Sequence, residues 1–204
     1  QLCKNDPKNI KAASISTFVS NQLKLDNIYP FCKNPLNFIF SKNIKSYFTS
    51  FEKITNSLIN QANNLTNVWE SRTTKNGYQT LGNLFELQTP DIVNLKKIIL
   101  GVIDEYKITY KTKPDGLISS WPNKFYLLGW YNRLLKHGYQ GSHIHPGGWL
   151  SGCFYLKMPK TLKKGEGAIY FSLHGYDYPI VNSDIPNYQY SPIEGDLILF
   201  PSSL

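Results

Sequence analysis

Apolar residues recur at three- and four-residue steps through the first half of the chain. Ala12, Ile15, Val19 and Leu23 form one such series, and Ile44, Phe48, Phe51, Thr55 and Leu58 form a second. Each spacing places its apolar side chains on one face of a 3.6-residue repeat, so two amphipathic helices are expected. Between them stand Tyr29-Pro30 and Asn34-Pro35. Proline lacks the helical N–H donor and biases the residue before it toward extended backbone, which makes this stretch a connector. A third helix is announced by Thr89-Pro90-Asp91, a capping residue followed by an early proline. Its stripe runs through Ile92, Leu95, Ile99, Val102 and Tyr106 and is expected to cover a sheet.

The pattern changes from about residue 120. Segments 124–135, 140–145, 149–158, 167–173 and 197–200 are short, rich in aromatic and aliphatic residues, and separated by Gly, Pro, Asn or Asp. They read as strands. Because they follow the helices instead of alternating with them, the expected class is α+β, an antiparallel sandwich or barrel with helices packed outside. No internal repeat of 20–50 residues interrupts this order.

One stretch carries candidate chemistry. Residues 138–156 read Gly-Tyr-Gln-Gly-Ser-His-Ile-His-Pro-Gly-Gly-Trp-Leu-Ser-Gly-Cys-Phe-Tyr-Leu. On a strand, residues two apart share a face, so His143 and His145 would present two imidazoles side by side, a two-point clamp for a metal. An isolated His-x-His serves equally well as a hydrogen-bonded structural pair. What singles this one out is its place at the end of an apolar strand beside the turn Pro146-Gly147-Gly148, and that it holds half of the chain's 4 histidines. His137 and His174 lack that setting and read as surface or loop residues. After the turn, alternation puts Trp149, Ser151, Cys153 and Tyr155 on one face and Leu150, Phe154 and Leu156 on the other. Trp149 reads as packing, and Gly147, Gly148 and Gly152 read as places where the backbone turns or is closely approached.

Composition narrows the classes. A chain of 204 residues with 41% hydrophobic and 14% aromatic side chains has enough apolar surface for one real core, which excludes a disordered chain. Its longest apolar run, residues 98–103, falls far short of the roughly 20 residues that span a membrane. The net charge of +8 would suggest a nucleic-acid partner, but Arg72 and Arg133 are its only arginines and the lysines are scattered. A binder of phosphate backbones concentrates its charge and favours arginine, so nucleic acid is not expected. The densest cluster, Lys157, Lys160, Lys163 and Lys164, reads as a solvated loop. Cys3, Cys32 and Cys153 share no metal-type spacing and are odd in number, which argues against a disulfide framework and a Cys-based zinc site. No leader is visible from Gln1, so a cytoplasmic location is expected.

With these residues in view the chain is recognisable. The His-x-His-Pro segment and the Ser-Gly strand after it are followed by Gly165-Glu166-Gly167-Ala168-Ile169-Tyr170-Phe171 and then by Glu194-Gly195-Asp196-Leu197-Ile198-Leu199-Phe200-Pro201. Together they resemble the iron(II)- and 2-oxoglutarate-dependent oxygenases, and more narrowly a subfamily in which His-x-His-Pro replaces His-x-Asp. Gly77-Tyr78-Gln79-Thr80 and Trp130-Tyr131-Asn132 extend the resemblance upstream, to about Trp69. It implies a double-stranded β-helix, a small jelly roll, over residues 66–204, with residues 1–65 a helical extension resembling the tail of a helical-repeat region. It implies iron(II) held by His143 and His145, and 2-oxoglutarate as co-substrate, with Tyr131, Asn132, Ser151 and Tyr155 as candidate contacts. His145 occupies the position of an aspartate in most of the wider superfamily, which leaves open a direct ligand or a residue beside one; we take it as a ligand. In the family a distal histidine and then an arginine follow the segment that ends here at Leu204. The expectation is therefore a fragment whose last strands and last ligand are missing, inactive alone, with an open sheet edge that a second copy would cover. The substrate, small molecule or protein, is not readable. A cupin-like metal or ligand module without 2-oxoglutarate chemistry and a non-catalytic interaction protein are the alternatives.

Overall fold

The computed structural model describes residues 5–160, 163 and 165–204; Cys3 and Lys164 lie outside them. The fold is mixed α and β with antiparallel sheets. The chain forms two compact units. One gathers the N-terminal segment through Ile44, Glu105–Trp121 and His143–Leu204; the other gathers Lys45–Asp104 and Pro122–Ser142.

The first unit opens with helix α1 (Ile10–Leu23). The Asn9 side chain accepts a hydrogen bond from the Ala12 N–H at 2.9 Å, satisfying one of the donors that every helix start leaves unpaired. The helix exists as its periodicity predicts, but its predicted apolar stripe points the wrong way: Ile15, Val19 and Leu23 are all exposed, while Ala13, Ser14, Thr17 and Phe18 are buried. Small residues let the helix approach its neighbours closely, and they are silent in a hydrophobicity pattern.

Strand β1 (Phe40–Asn43) lies just before the second predicted helical stripe, within the segment read as a helical extension. It pairs antiparallel with β8 (Asp196–Pro201), which pairs on its other side with β5 (Leu150–Phe154), giving the order β1-β8-β5. All six residues of β8 are buried. Phe171, Ile198, Phe200 and Leu204 form one core cluster of this unit, with Cys153, Tyr155, Ile169 and Tyr190 packed against it. Asp196 is buried with them and is satisfied by three donors: Asn43 Nδ2 at 2.8 Å, the Ile193 N–H at 2.9 Å and the Tyr190 hydroxyl at 3.0 Å. A hairpin of β6 (Ile169–Ser172) and β7 (Asn187–Tyr190) completes the strands of this unit.

In the second unit, helix α2 (Phe51–Asn63) starts later than its predicted stripe, because Ser50 caps it through the Lys53 N–H; Ile44 and Phe48 precede it. Thr55 and Leu58 are buried as expected. Strands β2 (Asn67–Trp69), β3 (Thr74–Thr80) and β4 (Asn132–Gln140) form a sheet in that order. A register shift between Lys75 and Gly77 marks a bulge, where Asn76 and His137 adopt positive φ of 47° and 64°.

Helix α3 (Pro90–Tyr110) runs from the second unit into the first. Its predicted stripe is correct throughout, with Ile92, Leu95, Ile99, Val102 and Tyr106 all buried, and the Tyr106 hydroxyl donates to the Phe38 carbonyl at 2.9 Å. A single turn, α4 (Gly116–Ser119), follows. No helix among the described residues is long and apolar enough to cross a membrane.

Candidate metal centre

His143 and His145 do not lie on a strand. β4 ends at Gln140 and β5 begins at Leu150, and the pair sits in the connection between them. The alternation argument for a shared face therefore fails, yet the imidazoles converge. Their Nε2 atoms are 3.2 Å apart and their rings meet edge to face at 72°.

The loop is held by the end of β8. The His145 N–H donates to the Ser202 carbonyl at 3.0 Å, and the Ser202 N–H donates to the Trp149 carbonyl at 3.3 Å. Pro146-Gly147 then turns the chain, closed by the Gly148 N–H on the His145 carbonyl at 2.9 Å. Gly148 leaves room for Ser202 there: a Cβ at this position would lie 2.6 Å from Ser202 Oγ and displace that hydroxyl. Gly152 on β5 is more tightly constrained, since its Cβ would lie 2.9 Å from a backbone atom, the Ile198 carbonyl oxygen. Trp149 packs, as the sequence suggests, edge-on against Phe31 with its Nε1–H on the Leu117 carbonyl at 2.9 Å.

Of the four candidate co-substrate contacts, Ser151 stands with the histidines. It is buried on β5, and its hydroxyl lies 2.7 Å from His145 Nδ1 and 2.7 Å from the hydroxyl of Ser202. Tyr155 is turned into the core, where burial, followed by the neighbouring Cys153, Asp196 and Tyr190, pushes its phenol well above the ordinary range. Tyr131 and Asn132 belong to the second unit. Tyr131 is tied to β3 by two hydrogen bonds with Thr80, and burial raises its phenol while Arg133 pulls it down; Asn132 pairs with Gln79 and is exposed. His137 is exposed, and His174 bonds through Nε2 to the Tyr178 carbonyl at 2.9 Å beside Phe18. Lys157, Lys160 and Lys163 are exposed, and Cys32 and Cys153 are free thiols.

The convergence of His143 and His145 fits a metal ion. Nitrogen ligands sit about 2.1 Å from a first-row divalent ion, so two of them at adjacent corners are about 3 Å apart. The observed 3.2 Å is that separation. Among the described residues no group of three His, Cys, Asp or Glu side chains assembles, so no third side chain of these types joins the pair.

The site is thus a pair of converging imidazoles on a loop anchored to an antiparallel β sheet. Residues 129–204 match the family described as "Putative 2OG-Fe(II) oxygenase", so the resemblance read from the His-x-His-Pro segment is shown over that stretch. The match begins after the Gly77-Tyr78-Gln79-Thr80 block. No curated protein and no solved structure matches the chain.

Proposed function

We propose that this chain is part of a non-haem iron(II)- and 2-oxoglutarate-dependent oxygenase that hydroxylates its substrate, with His143 and His145 holding the iron. The observation that carries this reading is the 3.2 Å approach of their Nε2 atoms inside the matched region. The double-stranded β-helix of such enzymes is the proposed frame for the β1-β8-β5 sheet and the β6–β7 hairpin.

Bound iron(II) supplies coupled oxidation: 2-oxoglutarate loses carbon dioxide to give succinate, with one atom of dioxygen entering succinate and the other a substrate C–H bond as hydroxyl. The chain's own part is to hold and orient. Two imidazoles would add no negative charge to an ion held there, so it would keep more of its positive charge than beside a carboxylate. That favours capture of an anionic co-substrate. Ser202 fixes the loop through its carbonyl.

The test uses the product of the complete reading frame. Under anaerobic conditions, iron(II) and 2-oxoglutarate together are expected to give a weak visible charge-transfer band that His143→Ala and His145→Ala each abolish, and in air 2-oxoglutarate-dependent succinate release should fall at least about 100-fold in either variant. A wild-type protein that binds iron(II) without any response to 2-oxoglutarate would instead establish the cupin-like alternative. One that binds neither would end the oxygenase reading.

A further inference from the structure

Ser202 is linked to His145 by two routes, one direct and one through Ser151. Its carbonyl accepts the His145 backbone N–H at 3.0 Å, and its hydroxyl reaches the same residue's ring through Ser151, in two steps of 2.7 Å. Both serines are buried, Ser202 completely. They sit on or beside paired backbone: Ser151 lies on β5 opposite Phe200, and Ser202 directly follows β8. A glycine at position 148 leaves room for the Ser202 hydroxyl. So a rigid part of the fold fixes both the backbone and the ring of one imidazole.

A hydroxyl has one proton to give and two lone pairs to receive. If Ser151 gives its proton to Ser202, it must receive one from His145 Nδ1, and His145 Nε2 is then a bare lone pair. That lone pair points to within 3.2 Å of His143 Nε2, whose N–H it accepts in the metal-free chain. The hydrogen bonds then run in one direction, from His143 through His145 and Ser151 to Ser202. The opposite direction would put the proton of His145 on Nε2, where a metal must bind.

We propose that Ser151, anchored by Ser202, is a positioning residue that holds His145 in the Nδ1–H tautomer and so presents Nε2 as a metal ligand. Ser151 thereby acts on the ligand and not on 2-oxoglutarate. The inference rests on the reading of His143 and His145 as a metal clamp, and outer partners of this kind set metal affinity by about 10–100-fold when removed.

The experiment uses zinc(II) alone as probe, with the complete protein labelled with nitrogen-15. Long-range imidazole spectra without metal should show His145 protonated at Nδ1, and titration should show both Nε2 resonances moving. In Ser151→Ala, zinc(II) affinity should fall at least 10-fold and His145 should lose its single tautomer, while Ser151→Thr, which keeps a hydroxyl, should restore both. Ser202→Ala should show the same loss to a smaller degree, and it carries the test if Ser151→Ala fails to fold. Zinc(II) binding by Ser151→Ala within twofold of wild type, or His145 protonated at Nε2 in the wild type, would overturn the proposal while leaving the clamp intact. If His143→Ala and His145→Ala also bind zinc(II) like the wild type, the clamp itself is wrong, and the two failures are told apart by these variants.

Discussion

All six residues of β8 are buried, whereas seven of the nine residues of β4 are exposed. Both strands read as apolar in sequence, with Leu-Ile-Leu-Phe in one and Leu134-Leu135 in the other. The difference lies in what flanks them. β8 is central in its sheet, paired to β1 and β5, with a core cluster against it; β4 is an outer strand paired only to β3. The loop that carries His143 and His145 hangs from the end of the first kind of strand. A metal site needs its ligands held to a fraction of an ångström, and backbone paired on both sides provides that, while an exposed outer strand does not.

The largest effect expected from this contrast is on stability. Ile198 is wholly buried at the centre of β8, and Leu134 is 43% exposed on β4. Ile198→Ala should destabilise the fold by about 2–5 kcal/mol, the transfer free energy of the lost methyls plus the cavity they leave. Leu134→Ala should cost under about 0.5 kcal/mol. Denaturant titration of the two variants measures the difference, and equal losses would show that β8 is not the stabilising strand.

The same contrast explains what the sequence revealed. Helix α3 was legible because its stripe is long, capped by Thr89, and buried along its whole length. Helix α1 was legible as an element but not in its orientation, since the face that packs is made of Ala13, Ser14 and Thr17 together with Phe18. Strands β1, β3 and β7, with sequences Phe-Ser-Lys-Asn, Thr-Lys-Asn-Gly-Tyr-Gln-Thr and Asn-Tyr-Gln-Tyr, are too polar or too short to announce themselves, and only their partners define them. At the candidate site the histidine pair was visible by spacing, for a reason the structure does not share: a loop and not a strand brings the rings together. Ser202 was invisible as a participant, because it meets Ser151 across 51 residues of chain. Local pattern carries no signal for a contact made by sheet pairing.

A second way to probe the contrast is chemical. Burial pushes the Cys153 thiol from 9.0 up to about 11, because the anion is the form that loses its water. At pH 8 the folded chain should hold about 100-fold less Cys153 thiolate than the unfolded one, so alkylation there should be slower by at least that factor. A cysteine placed at the exposed β4 position, Leu135→Cys, should react at the rate of a free thiol; peptide mass spectrometry separates the two sites from Cys32 and Cys3. Linkage gives the matching stability effect. The unfolded chain ionises first, so the Cys153 contribution to stability is complete below about pH 9 and is lost as pH rises toward 11. The difference in stability between wild type and Cys153→Ala should therefore change over that interval and be flat below it. Fast alkylation of Cys153 at pH 8 would mean that β5 opens as readily as β4.

The smallest expected effect belongs to the outer strand β4. Arg133 and Tyr78 are directly opposite across β3 and β4, with the guanidinium 4.7 Å from the ring centre, and Trp69 packs edge-on against the same ring at 4.9 Å. Such a cation–π pair at an exposed position is worth about 0.5–1 kcal/mol, and part of it is lost to screening by water. Arg133→Ala should cost no more than this, and a double-mutant cycle with Tyr78→Ala should return a coupling of about 0.5 kcal/mol. Trp69 sets the sign of the outcome: it holds the Tyr78 ring in place when Arg133 is removed, so Arg133→Lys, which keeps the charge but loses the planar stack, should recover less than half of the coupling. A coupling above about 2 kcal/mol would mean that this face is shielded from solvent. The comparison with β8 would then have to be drawn between two buried strands.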